Sequence, residues 1–104
     1  MISAPAFLAT KLEAFSTRGN NDLMSSHDFE DIITVIDGRP DIVQEVIGSD
    51  KTLLHYLAAS FSVILGGQNF DKALPGLVVY DELYDERLRN VQARLKLIAN
   101  LKSV

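Results

Sequence analysis

Four charged side chains near the start of the sequence have types and spacings suited to phosphate and metal chemistry: Lys11, Arg18, Asp28 and Asp31. Lys11 and Arg18 fall on one face of a predicted helix together with Phe7, because their spacings are four and seven residues. Asp28 and Asp31 stand one turn apart at the start of the next predicted helix. Cations contact phosphate and carboxylates bind magnesium. The same pattern also fits a solvated rim whose aspartates cap a helix, so the pattern alone leaves both interpretations open.

The composition is typical of a single globular domain, residues 1–104, that folds in water. The chain is 47% hydrophobic and 23% charged, and its length allows one modest core. A net charge of −4 does not indicate nucleic-acid or anionic-membrane binding. The sequence has no cysteine, which excludes disulfides and thiolate metal sites. No signal peptide is evident, and "LAASFSVILGG" is too short to span a bilayer. We therefore expect a small cytoplasmic protein without a membrane partner.

Helical periodicity predicts an all-α fold: a compact bundle of about five helices, with a long C-terminal helix and at most one short extended segment. The first helix begins near Pro5 and ends at Gly19. Ser25 is the predicted N-cap of the second helix, which Gly38 and Pro40 close. A short third helix, "PDIVQEVIG", is predicted to start at Pro40.

The second half of the chain continues this pattern. Ser49 or Asp50 is the predicted cap of the fourth helix, which ends at Gly66–Gly67. "FDKAL" is predicted to form one more turn before Pro75, where the proline interrupts it. "LVVY" is the one segment with strand character, and it is too short for a sheet of its own.

The last helix has the clearest periodicity, with apolar side chains at alternating spacings of four and three residues. This packed seam consists of Tyr84, Leu88, Val91, Leu95 and Ile98. The opposite, solvent-facing side is predicted to carry the charged residues Glu82, Glu86, Arg87, Arg94 and Lys96.

Three short segments resemble a known family: "P-x-F-L-A-T-K-L-E-A-F-S-T-R-G", "S-x-D-F-E-D-I" and "D-G-R-P". They are similar to the nucleotidyltransferase-like family that includes the AbiEii-type abortive-infection toxins, within the DNA polymerase β-like superfamily. The family motif has a lysine on a helix, an arginine about two turns later, a short loop, and a helix opening with Asp-x-x-Asp. Residues of this sequence stand at all four polar positions: Lys11, Arg18, Asp28 and Asp31. The resemblance extends from Pro5 to about Pro40, and His27 stands where many relatives carry a basic residue.

The resemblance implies a site for a nucleoside triphosphate (NTP) and Mg²⁺. In that site Lys11 contacts the triphosphate, and Asp28 is a metal ligand or the base on the incoming hydroxyl, so these two are the catalytic candidates. Asp31 orients Lys11 or Arg18. Arg18 either contacts phosphate or, as the better fit, pairs with Asp31 to hold the loop between the helices. Such a division suits nucleotidyl transfer, which depends mainly on positioning and on neutralising charge.

The superfamily's principal metal-binding motif is not found in the sequence. That motif is a Gly-Ser or Gly-Gly pair before a helix, followed by a strand carrying Asp-x-Asp. "GSD" at Gly48 is followed by no carboxylate at the required distance, and "GGQ" at Gly66 is followed by the adjacent pair Asp81–Glu82, which would point to opposite faces of a strand. We expect the chain to match the C-terminal helical part of such an enzyme and to be inactive alone. Mg²⁺ and NTP would bind only if another chain completes the site.

A second interpretation has no enzymatic role: a free-standing helical module for protein interaction or oligomerisation. Without a catalytic sheet domain, apolar surface would stay exposed, and Phe7, Leu8 and "GLVVY" are the candidates for it. The partners expected are a second copy of the chain or a catalytic partner chain, and the resemblance to abortive-infection toxins adds a cognate antitoxin. His27 and His55 lack metal-ligand spacing, and His55 is expected in the core or at its rim.

Overall fold

The structure, a computed structural model, describes residues 2–18, 27–67 and 69–101, which form six α-helices. In chain order they are α1 (Ala4–Arg18), α2 (His27–Gly38), α3 (Ile42–Ile47), α4 (Lys51–Leu65), α5 (Phe70–Leu77) and α6 (Tyr84–Asn100). These ranges contain no strand, and the Cα radius of gyration of 12.7 Å is close to the ~13 Å of a compact 100-residue domain. The predicted all-α bundle is confirmed. None of the helices has the length and apolar content to cross a membrane.

Helix α2 packs against α1 and α6. Its apolar residues repeat at helical spacing and are at most 1% exposed: Phe29, Ile32, Ile33 and Ile36. Because an amphipathic helix gains most of its stability by burying such a stripe, α2 is fixed mainly by its neighbours.

Three other helices bury apolar side chains at helical spacing. The side chains that they contribute to the core are Leu8, Leu12 and Phe15 of α1; Leu57, Ala58 and Phe61 of α4; and Val91, Leu95 and Ile98 of α6. Helix α4 packs most extensively against α6, and α1 packs against both α2 and α4. The predicted packed face of the last helix is therefore confirmed. Tyr84 and Leu88, at its start, are partly buried.

The prediction that Leu8 belongs to an exposed surface is wrong. Leu8 is 0% exposed because it shares a stripe with Leu12 and Phe15 that faces the core. Phe7, one position earlier, is half-buried. In the "GLVVY" segment, Val78 is buried but Val79 and Tyr80 are exposed, as expected.

The turn predicted before Pro75 is an eight-residue helix that continues through the proline to Leu77. A proline inside a helix costs about 3 kcal/mol, since it removes a hydrogen bond and crowds the carbonyl four residues earlier. Here that carbonyl belongs to Asp71, which is exposed, so water can replace the lost donor. Burial of Phe70 and Leu74 offsets the remaining cost.

Other predicted boundaries differ less. Helix α3 begins at Ile42 rather than Pro40, because residues 40 and 41 form a turn closed by the Ile42 N–H donating to the Arg39 carbonyl at 3.0 Å. Val78 has extended backbone angles, in keeping with the strand-like character of its segment. The predicted helix end at Gly19, the loop after it and the Ser25 cap lie outside the described residues.

Two arginines of α6 hold the C-terminal end of α2, although the sequence placed both on the solvent side. Arg94 donates from one guanidinium nitrogen to the carbonyls of Ile36 (2.8 Å) and Asp37 (3.0 Å). Arg87 donates to the Asp37 carboxylate at 3.0 Å. Helix α2 has no basic residue in its own last turn, where the helix dipole favours a cation. The two arginines supply that charge from the neighbouring helix.

Replacing Leu8 with alanine is expected to lower the free energy of unfolding by about 2–5 kcal/mol, because it removes buried methyl groups and leaves a cavity. The matched control is Leu97→Ala, since Leu97 is 55% exposed on α6, with an expected effect within about 0.5 kcal/mol. Urea unfolding followed by circular dichroism measures both. Equal effects of the two substitutions would contradict the burial of Leu8.

Arg94→Met keeps the apolar stem of the side chain and removes both hydrogen bonds to the end of α2. We expect a loss of about 1–3 kcal/mol in the same unfolding experiment, the range for hydrogen bonds from a charged donor. Arg89→Met removes the same charge from an exposed position of α6 and serves as control. If both variants unfold at the same denaturant concentration, Arg94 does not stabilise α2.

Candidate functional site

The candidate site lies on the surface where α1 and α2 pack side by side. The two helices run antiparallel: the Phe15 and Phe29 rings lie 5.5 Å apart, and Lys11, one turn earlier on α1, meets Asp31 farther along α2. The apolar stripes below this surface fix the register of the pair. Side chains that flank those stripes therefore come together across the helix–helix contact.

Three of the four residues of the sequence motif meet there, and we call them the Lys11 cluster: Lys11, Asp28 and Asp31. The Lys11 ammonium lies 2.9 Å from an oxygen of Asp31 and 3.6 Å from an oxygen of Asp28. The side chains are 26% (Lys11), 14% (Asp28) and 50% (Asp31) exposed. The ammonium thus bridges two carboxylates that stand one turn apart on α2, at the edge of the protein rather than in its core.

The Phe7 ring contacts the Lys11 ammonium. Its centroid lies 5.5 Å from the Lys11 nitrogen, within the range of a cation–π contact. The two residues are one turn apart on α1, so the helix itself creates this contact. The lysine stem is consequently fixed in direction between an aromatic face and the two aspartates.

The charge state of Lys11 follows from its partners. The hydrogen bond to Asp31 raises the Lys11 pKa above the ordinary 10.5, and the negative charges of Asp31 and Asp28 add to this, against a smaller lowering by burial. Lys11 is therefore firmly protonated at neutral pH. It can donate hydrogen bonds to an anion, but it is not suited to act as a base or a nucleophile.

The carboxylates offer a limited donor set for a metal ion. Within the described ranges, no group of three or more His, Asp or Glu side chains is arranged to hold one. Asp28 and Asp31 suit a magnesium ion held mostly by water and phosphate, which often uses only one or two carboxylates. They do not form a protein cage, and the Lys11 ammonium lies against both of them.

The remaining motif positions contribute less. Arg18 is the last residue of α1, and the predicted roles of its side chain lie outside what the structure describes. His27 is 97% exposed at the start of α2, with Nδ1 3.5 Å from a Glu30 oxygen. His55, expected in the core or at its rim, is exposed on α4.

A groove that sequence reasoning missed lies at the other end of the α1–α2 surface. It has a volume of about 770 Å³, is open to solvent, and is lined by the start of α1, Val35 of α2, and residues of α3 and its flanks. Phe7 lines it as well as supporting Lys11. At its border Arg39 donates to both carboxylate oxygens of Glu45, and these hydrogen bonds lower the Glu45 pKa. No sequence signal predicts this groove, because it arises where three helix ends meet.

No protein-family model, curated protein or solved structure is significantly similar to this chain. The geometry of the Lys11 cluster and the sequence motif are therefore the features that indicate a function.

The raised pKa of Lys11 predicts a stability difference that depends on pH. A group whose pKa is raised on folding stabilises the fold below its unfolded pKa and loses this effect as the pH rises through the folded value. Lys11→Met should therefore be less stable than the wild type near neutral pH, and the difference should begin to fall near pH 10.5 and be lost as the pH rises through the raised pKa of the folded state. Urea unfolding at a series of pH values measures this.

An NMR titration of the Lys11 side-chain carbon next to the ammonium provides the direct control. Because Asp31 is the main cause of the shift, Asp31→Asn should lower the Lys11 pKa toward 10.5. An identical titration curve in wild type and Asp31→Asn would contradict the assigned cause.

Proposed function

We propose that this chain is the helical part of a nucleotidyltransferase-like protein, and that the Lys11 cluster forms one wall of a pocket for NTP and Mg²⁺. The observation that supports the proposal is the Lys11 ammonium held between Asp28 and Asp31, at 3.6 and 2.9 Å. The motif required a lysine on one helix to meet Asp-x-x-Asp on the next. Those three side chains do share a surface.

The roles follow from the chemistry of each group. Lys11 donates hydrogen bonds to phosphate oxygens, because it is protonated and carries its charge at a fixed position. Asp31, the closer carboxylate, orients Lys11. Asp28 is the ligand for magnesium or accepts the proton of the incoming hydroxyl, and Arg18 either contacts phosphate or pairs with Asp31. When bound, magnesium would neutralise charge on the triphosphate.

The balance of charge makes magnesium necessary in this proposal. One ammonium and two carboxylates leave the cluster with a net charge of −1, which repels a free triphosphate. A divalent cation reverses that sign. The sequence has no Gly-Ser or Gly-Gly pair that is followed by an Asp-x-Asp strand, so the proposal assigns the main metal site and catalysis to a partner chain. This places the protein in the cytoplasm, where nucleotides are available and where a chain without cysteine loses nothing to reducing conditions.

A second function accounts for the same ion pairs without a ligand. In that alternative Lys11 joins α1 to α2, and the chain is a free-standing module for interaction or oligomerisation, with a second copy or a cognate antitoxin as partner. The observation that favours it is the exposure of Val79 (57%) and Tyr80 (87%), large side chains that monomeric proteins usually cover.

Titration with nucleotide separates the two functions. Because the main metal site is assigned to another chain, we expect the chain alone to bind nucleotide only weakly: millimolar ATP, CTP, GTP or UTP with Mg²⁺ should shift the NMR signals of Lys11 and Asp28 in the wild type, and Lys11→Met should abolish the response. Asp31→Asn should raise the affinity several-fold, because it removes a negative charge and releases the Lys11 ammonium for phosphate. Lys72→Met, which removes an exposed lysine of α5, is the matched control and should bind as the wild type does.

The outcomes are distinguishable from a loss of folding. Each variant is first compared with the wild type by circular dichroism. If millimolar nucleotide with magnesium leaves Lys11 and Asp28 unshifted in both wild type and Asp31→Asn, the nucleotide site is not a property of this chain and the interaction module is favoured. Sedimentation of wild type against Tyr80→Ser then tests oligomerisation without disturbing the core, which Leu8 substitutions would do.

A further inference from the structure

An exposed apolar surface lies on the connection between α5 and α6, outside the Lys11 cluster. It consists of Val79, Tyr80 and Leu83, and we call it the 79–83 surface. These side chains are 57%, 87% and 52% exposed, respectively. On an ordinary protein surface, exposed large apolar side chains are scattered singly. Here three of them are clustered within five consecutive residues.

Hydrogen bonds and a ring contact connect the segment that carries these side chains to α5 and α6. The Leu83 N–H donates to the Asp81 carboxylate at 2.9 Å, and Arg87 also donates to that carboxylate. The Tyr84 hydroxyl donates to the Pro75 carbonyl at 2.7 Å, which ties the start of α6 to α5. The Tyr80 ring lies 4.9 Å from the Tyr84 ring. A side chain that is ordered before binding loses less entropy when a partner covers it.

The border of this surface is acidic. Residues 81–87 carry four carboxylates (Asp81, Glu82, Asp85 and Glu86) and one arginine, a net charge of −3. Arg87 already contacts Asp37 and Asp81. Among the described residues, the other three carboxylates make no ion pair and remain exposed to solvent. An exposed tyrosine with aliphatic neighbours and a charged border has the composition of an interface: an apolar anchor and a polar rim.

We infer that the 79–83 surface binds a partner protein that offers an apolar helix face bordered by lysine or arginine side chains. The apolar side chains provide the contact, and the acidic border selects a basic partner. A second copy of this chain is a poor occupant, because a two-fold contact would bring two acidic borders together. This surface is separate from the proposed nucleotide site, so the inference does not rest on nucleotide binding.

Three designed peptides test the chemistry of the partner. The first is amphipathic, with leucines at helical spacing and lysines elsewhere; the second replaces each lysine with glutamate; the third replaces each leucine with serine. We expect only the Leu–Lys peptide to bind, with NMR shifts concentrated at residues 79–86. Its affinity should fall as salt is raised above about 0.1 M, where the Debye length drops below ~10 Å.

Variants of the full chain locate the contact. Tyr80→Ser together with Leu83→Ser should weaken binding of the Leu–Lys peptide by about 10-fold or more, as for a central aromatic anchor. Glu82→Gln with Glu86→Gln should weaken it less and reduce its salt dependence. Val63→Ser is the control, because Val63 is 76% exposed on α4 and the change removes the same kind of surface elsewhere.

Each other outcome overturns the inference. If the Leu–Lys peptide causes no shifts, or if the Leu–Glu peptide binds equally well, the proposal of a basic partner is wrong. Equal binding of the Lys–Ser peptide reduces the contact to non-specific charge attraction. Self-association that rises with protein concentration and is abolished by Tyr80→Ser and Leu83→Ser identifies a second copy as the occupant instead.

Discussion

Burial of α2 is the constraint on which the rest of the structure depends. Four of its apolar side chains, Phe29, Ile32, Ile33 and Ile36, are almost completely covered, so α1 and α6 must lie against it in a fixed register. Two sets of polar contacts follow from that arrangement. The Lys11 ammonium reaches Asp28 and Asp31 because α1 lies alongside the first turns of α2. Arg94 reaches the last carbonyls because α6 lies across its other end.

The charges at the two ends of α2 follow the helix dipole. Asp28 and Glu30 stand in its first turn, where negative charge is favourable. At the last turn, Asp37 is only 10% exposed and the dipole opposes its charge. Arg87 and Arg94 compensate from α6. One end of α2 therefore presents carboxylates to solvent and to Lys11, whereas the other end has its charge neutralised within the fold.

The sequence predicted those features that depend on periodicity within one helix. The α2 and α6 stripes appear as apolar residues every three or four positions. The sequence motif predicted that Lys11 lies close to Asp28 and Asp31. Features that depend on which helices touch were missed. Leu8 was assigned to an exposed surface because the absence of a sheet domain was expected to leave apolar side chains uncovered, whereas in the structure Leu8 belongs to the buried core. Helix α5 continues through Pro75 because burial outweighs local propensity.

The spacing of Arg87 and Arg94 along α6 indicated that they flank the core, but the sequence analysis assigned them to the solvent side. Arg87, Val91, Arg94 and Ile98 are spaced by four, three and four residues, so both arginines lie on the same face as two core residues. Their charge alone suggested a solvent-facing position. A long arginine beside a buried stripe can instead extend along apolar surface to a distant polar group, which here is the end of α2. The groove lined by Phe7 and Val35 had no comparable signal.

Arg87 has a consequence that extends beyond stability, since it contacts Asp37 on α2 and Asp81 on the connection before α6. Because Arg87 joins the two carboxylates, a movement of Asp81 would be felt at Asp37, which lies nine residues, or about 13.5 Å along the helix, from Asp28. Ligands acting at opposite ends of this path would be energetically linked. Thermodynamics requires such linkage to be reciprocal, so each ligand would change the affinity of the other by the same factor.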